Sequence, residues 1–177
     1  MRKFCNINIG RNYIKLQKMK TMITGLIIGL FAGIIIGIVI VFFASPSLML
    51  KESKSKFDFE KTVSELQTSI DDMGWKTPYI HDLQATMKKF GNDVRQVKVF
   101  DICHPDHAYK ILSRSDERIV SNLMPCRIAV YEKEDGSVWL SRMNSGLVAK
   151  PMGKTIRETM GLAASDTEEI LEKVISN

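Results

Sequence analysis

Thr21 to Phe43 is a run of 23 residues without one charged side chain. As a helix rising 1.5 Å per residue it reaches about 34 Å, enough to cross a hydrocarbon core of about 30 Å. A buried core helix is rarely apolar all round for this length. The rival is a cleavable signal peptide, whose apolar region usually runs about 7–15 residues. The segment is longer than that. Ala44-Ser45-Pro46-Ser47 after it offers no clean A-x-A site, and no lipobox cysteine follows. The pattern predicts an uncleaved membrane anchor.

Charge supports this reading. The chain of 177 residues carries 25 Lys and Arg against 20 Asp and Glu, a net +5. Six of the basic residues (Arg2, Lys3, Arg11, Lys15, Lys18 and Lys20) precede the apolar run with no acid among them. Residues 51–177 hold 19 basic and 20 acidic residues, a net of −1. A nucleic-acid-binding domain needs a basic face on its folded part, so no nucleic-acid partner is expected. Lys and Arg near the two ends set orientation. Six lie before the span, and Lys51, Lys54, Lys56 and Lys61 follow it. The bias places the N-terminus in the cytoplasm and the rest outside, with the membrane itself as a partner.

Gly25, Gly29, Gly33 and Gly37 recur every fourth residue inside the span. Such a stripe lets a second helix approach closely. It predicts a homo-oligomer formed through the membrane helix. The expected division is a basic tail over 1–20, a transmembrane helix over 21–43, a linker over 44–56 and a soluble domain over 57–177.

In that domain, Asp58 caps a helix from Phe59 to Met73, with Phe59, Val63, Leu66, Ile70 and Met73 on one stripe and Gly74 as the stop. Trp75 to Ile80 reads as a strand. Asp82 caps a short helix with Leu83, Met87 and Phe90 inward. Val97 to Cys103 is a strand by its β-branched and aromatic content, and Pro105 suits the first turn of the next helix. Residues 115–124 stay ambiguous. Cys126–Lys133 and Ser137–Met143 form a hairpin about Asp135-Gly136. A two-residue loop there sets Val130 opposite Ser141 and Ile128 opposite Met143, so Cys126, Ile128, Val130 and Met143 share a face. Met152, Ile156 and Met160 follow helical spacing. Ser165 with Glu168 reads as a capping box that opens a last helix carrying Ile170, Leu171 and Val174. The fold class expected is α+β: a two-layer sandwich with helices on one face of a mixed or antiparallel sheet, ending in a hairpin and helices.

Two segments carry a family resemblance. Val99-Phe100-Asp101-Ile102-Cys103-His104-Pro105-Asp106-His107-Ala108 resembles the strand, cysteine and x-Pro-x-x-Ala helix start of the domain of unknown function 302 family. Leu123-Met124-Pro125-Cys126-Arg127-Ile128-Ala129-Val130-Tyr131-Glu132 is similar to its Leu-x-Pro-Cys strand ending in Val-Tyr-Glu. The helix at 59–73 ending in Gly74 fits its opening, and the resemblance spans roughly 57–175. It implies a compact α+β domain, often membrane-anchored in microbes, and no particular activity. His104 and His107 are not part of that signature.

The chemistry concentrates on Cys103 and Cys126. Cys103 sits just before a helix start, where the dipole favours a thiolate, and His104 and His107 are close in sequence. Three readings compete. One is a structural Cys103–Cys126 disulfide, natural outside the cytoplasm. The second is a copper or haem site drawing on Cys103, Cys126, His104, His107 and Met143. The third is a redox pair. The separation of the two cysteines matches neither a zinc ribbon nor a thioredoxin motif. His81 reads as a surface or cap residue, and Cys5 as inert. Gly153-Lys154-Thr155 is no phosphate loop, because the fifth position before Gly153 is Val148. No catalytic motif of the Ser-His-Asp or H-E-x-x-H kind is evident. The reading favours a binding or sensing module centred on the cysteines. Its rivals are a thiol oxidoreductase on the same residues and a purely structural domain.

Overall fold

A computed structural model of the chain describes residues 2–176, and the side chains of residues 18–43 and 47–176. The expectations for Cys5 and for the side chains of Arg2, Lys3, Arg11 and Lys15 lie outside the described residues. The chain divides into two units, Met1–Ser45 and Pro46–Asn177.

Helix α1 spans Arg2–Met49. Its stretch Lys18–Phe43 is long and apolar enough to cross a membrane, with no side chain covered by protein. Thr24 donates to the Lys20 carbonyl at 2.9 Å. A hydroxyl in an apolar helix is thereby satisfied within its own turn.

The second unit holds β1 (Leu50–Lys54), α2 (Phe59–Asp72), β2 (Lys76–Asp82), α3 (Leu83–Lys89), β3 (Val97–Cys103) and α4 (Pro105–Leu112). A 3-10 helix (Ser115–Leu123) then leads to β4 (Cys126–Glu132), β5 (Val138–Met143), α5 (Ser145–Val148) and α6 (Lys154–Glu172). The five strands form one antiparallel sheet in the order β1-β5-β4-β3-β2. Helices α2 and α6 cover one face, giving the expected two-layer α+β architecture with an antiparallel sheet.

Helix α2 starts where Asp58 accepts from the Lys61 N–H at 2.9 Å, relieving one of the unpaired donors of a helix start. It buries Phe59, Leu66 and Ile70. Gly74 leaves it in the left-handed region at φ +74°, a conformation glycine adopts without a Cβ clash. Trp75 turns inward, 1% exposed, before β2 begins at Lys76. The main core joins Leu66, Ile70, Trp75, Phe100, Ile128 and Ile170 among others. A second cluster joins Ile111, Val120, Ala149, Ile156 and Met160.

Four expectations change. Residues 50–54, read as linker, form the edge strand β1, with Leu50 opposite Met143. Their lysine-rich sequence suits an edge that must stay unpaired on its outer side. The hairpin loop has three residues rather than two. Gly136 N–H donates to the Lys133 carbonyl at 3.0 Å, Lys133 N–H donates to the Ser137 carbonyl at 2.9 Å, and Gly136 sits at φ +77°. The register slips by one, so Ile128 opposes Arg142 and Val130 opposes Leu140. Side chains alternate along a strand, and Met143 therefore falls on the opposite face from Ile128 and Val130. Helix α6 is continuous, and no cap opens at Ser165. Ile156, Met160, Ala163, Thr167 and Ile170 form one buried stripe through that point, and Thr167 returns its hydroxyl to the Ala163 carbonyl at 2.7 Å. Finally, α3 buries no residue, and Phe90 is exposed.

Candidate functional site

Strand β3 ends at Cys103 and β4 begins at Cys126. Ile102 pairs with Cys126 across the two strands. The cis Met124–Pro125 bond precedes Cys126, and His104 follows Cys103 as the residue before Pro105 at the start of α4. The two cysteines, His104 and His107 line one cavity with Trp75, Met124 and Met160. Its walls come from both hydrophobic clusters: Trp75, Ile102 and Ala163 from the first, Ile111 and Met160 from the second.

The aromatic rings stack closely. The His104 and His107 ring centroids are 4.4 Å apart. Trp75 meets them edge-on at 5.6 and 5.9 Å. His107 Nε2 lies 3.0 Å from Asp166 Oδ2 on α6. A carboxylate is the acceptor there, so Nε2 carries the hydrogen, and in the neutral ring Nδ1 keeps the lone pair. Trp75 Nε1, His104 Nδ1 and His107 Nδ1 are buried without a hydrogen-bond partner in the protein. All three belong to residues that line the one cavity, whereas native folds pair almost all buried polar atoms.

Both thiols are free. Burial pushes the Cys103 thiol above its ordinary range. Burial, with the nearby charge of ionised Cys103, raises Cys126 to about 11. The direction at Cys103 is set by desolvation, opposite to the thiolate-favouring effect expected of the helix start.

Of the residues expected at the site, Cys103, His104, His107 and Cys126 come together. Met143 does not. It lines a groove on the other face of the sheet with Leu50, Val99 and Ala129, displaced by the one-residue slip of the hairpin. Trp75 and Met124 were missed as site residues, and Met160 was read as core filling. Met160 shares a helical stripe with core residues, which masks such a role, and Trp75 is brought to the cavity by the Gly74 turn. The cavity volume is about 40 Å³, far below the roughly 300–1,000 Å³ of sites that take large cofactors. The residues present do not fit a haem. Among the described residues, no three His, Cys, Asp or Glu side chains already stand as a metal cluster.

His81 takes a different part from the one expected. Its Nε2 lies 3.0 Å from Asp101 Oδ2, and Arg127 Nε donates to Asp101 Oδ1 at 3.0 Å. Burial alone pushes Asp101 upward. Hydrogen bonds from His81 and Arg127 outweigh it, and the carboxyl ends below its ordinary range.

The family model described as "Domain of unknown function DUF302" matches residues 51–177. An uncharacterized protein of Aquifex aeolicus (strain VF5) is 25% identical over 139 residues, covering 76% of this chain and 90% of the relative. The crystal structure of an uncharacterized conserved DUF302 protein from Bacillus stearothermophilus superposes with a TM-score of 0.64 at 15% identity, over 71% of this chain and 98% of that one.

Proposed function

The chain belongs to the domain of unknown function 302 family, and from that premise we propose that it is a membrane-anchored binding or sensing module that holds a small ligand in the Trp75–His104–His107 cavity. The observation that carries this is the set of three unpartnered ring nitrogens at Trp75, His104 and His107. A buried donor or acceptor left unmade costs about 1–3 kcal/mol. A ligand that accepts from the Trp75 indole N–H and donates to, or coordinates, a histidine Nδ1 removes that cost.

The anchor holds the domain on the outer side of the cell membrane, as the excess of Lys and Arg before the span directs. The stripe of Gly25, Gly29, Gly33 and Gly37 pairs chains within the bilayer. Apart from the helix's own neighbouring backbone, nothing lies within 4 Å of where a Cβ at any of the four would stand. Burial pushes both thiols above their ordinary range, which favours the binding module over a thiol oxidoreductase, whose nucleophile is the thiolate.

The test is native mass spectrometry of the full chain extracted in mild detergent from its own membranes. An adduct on the wild type that is lost from Trp75→Phe and His107→Ala, with folding intact by circular dichroism, is the expected result. A wild type that carries no adduct, or variants that keep it, overturns the proposal.

A further inference from the structure

Helices α2 and α6 cover the sheet face that carries Phe100, Ile128 and Leu140. Side chains alternate along a strand, so the ladder gives the residues of the other face. One row across it runs from Leu50 through Met143 and Arg127 to Asp101 and Tyr79. The next runs from Glu52 through Ser141, Ala129 and Val99 to His81. Tyr131 and Trp139 stand side by side in a third row. A sheet face turned to water alternates to polar residues, and this one is largely apolar at its centre. We infer that it is covered by a second copy of the chain, sheet against sheet, about a two-fold axis along the central strand β4.

Symmetry and charge select a copy as the occupant. A two-fold parallel to the strands lays the β1 edge of each chain over the β2 edge of the other and keeps both copies of β1 pointing the same way. Two chains anchored in one membrane enter their domains from one side, as this axis allows. Leu50, 59% exposed, then lies over the partner's Tyr79, 62% exposed. Half-exposed Glu52 lies over the partner's His81. Each contact is made twice, as an isologous interface requires. Ala129, a small residue on the central strand, lets the two sheets approach on the axis. Arg127 also lies there, and Asp101 of its own chain neutralises it at 3.0 Å. Glu52 is held by Tyr131 and by Lys133 at 3.0 Å. With both carboxylates paired inside the chain, the face does not repel its own copy. Five strands about 4.8 Å apart and about 20 Å long make a face of roughly 500 Å². Two copies therefore bury roughly 1,000 Å², the lower edge of specific interfaces. Confinement to one membrane supplies the effective concentration such an interface needs.

The experiment uses the full chain in native membranes, with photoreactive benzoylphenylalanine in place of Ser141 on the open face. A control carries it in place of Ser64, exposed on α2 on the other side of the sheet. Illumination is expected to give a product of two chains from position 141 and none from position 64. Leu50→Glu and Tyr79→Glu, both at exposed positions, each reduce that product about tenfold. Phe90→Glu, exposed on the loop after α3, leaves it unchanged. Circular dichroism confirms that each variant is folded, and either edge variant serves if the other is not. No two-chain product from position 141, equal product from position 64, a product of any other mass, or a yield untouched by both edge variants overturns the inference.

Discussion

His107 Nε2 and Asp166 Oδ2 stand 3.0 Å apart and join α4 to α6 beside the cavity. In the neutral imidazole the contact leaves the hydrogen on Nε2 and none on Nδ1. Nitrogen-15 spectra of the imidazoles should show His107 as the Nε2–H tautomer. Asp166→Ala should mix the tautomers and lower stability by about 1–2 kcal/mol, the scale of a hydrogen bond to a charged partner. A His107 that stays Nδ1–H would contradict the arrangement.

Arg142 and Glu168 make the most buried ion pair described. The Arg142 side chain is 6% exposed and Glu168 35%, and Lys51 adds a contact to Glu168 at 3.0 Å. Burial alone raises the Glu168 carboxyl. Arg142 first and then Lys51 more than reverse this, so it ends below its ordinary range. Breaking a fully buried pair costs about 3–5 kcal/mol. Partial exposure of Glu168 reduces that for Glu168→Gln to about 2–3 kcal/mol at pH 7. A folded-state pKa below the unfolded one means the contribution is present above the ordinary carboxylate range and lost as pH falls through the folded value. Urea unfolding of wild type and Glu168→Gln should therefore converge in acid.

Cys126, raised to about 11, should alkylate at pH 7 at least about 100-fold more slowly than a free cysteine. Its rate should climb through pH 9–11. Iodoacetamide labelling read by peptide mass spectrometry measures this. Fast labelling at pH 7 would favour the oxidoreductase over the binding module.

In the membrane helix, Gly29→Ile with Gly33→Ile should abolish crosslinking between the paired helices in native membranes, because close backbone approach needs the bare stripe. Loss of crosslinks with unchanged membrane insertion is the expected outcome. Undiminished crosslinking would place self-association elsewhere.

The sequence made some elements plain and hid others for physical reasons. Caps at Asp58 and Asp82 announced α2 and α3, because local side-chain to backbone bonds depend only on near neighbours. The cysteine cavity was legible in part, since β3 and β4 were recognisable and both cysteines sit at strand ends. Met143 was misplaced because one extra loop residue moves a whole strand's pattern to the other face. Asp-Gly suits either a two-residue turn or the three-residue loop in which Gly136 takes the left-handed position. β1 escaped notice because a short charged edge strand carries no apolar alternation of its own. Ser165 and Glu168 imitate a cap, and only Arg142, from a distant strand, shows what Glu168 does. Asp166 had no signal at all: its partner lies 59 positions away.

The two indole N–H groups provide the most direct measurement. Trp75 Nε1 has no protein partner, whereas Trp139 Nε1 donates to Ser137 Oγ at 2.8 Å. Proton–nitrogen spectra of the chain as extracted from its membranes should be compared with those of the same sample after exhaustive dialysis against chelator and charcoal. If the cavity holds a ligand, the Trp75 indole resonance shifts on stripping while that of Trp139 stays in place. If neither indole moves, or only Trp139 does, the cavity is not a binding site.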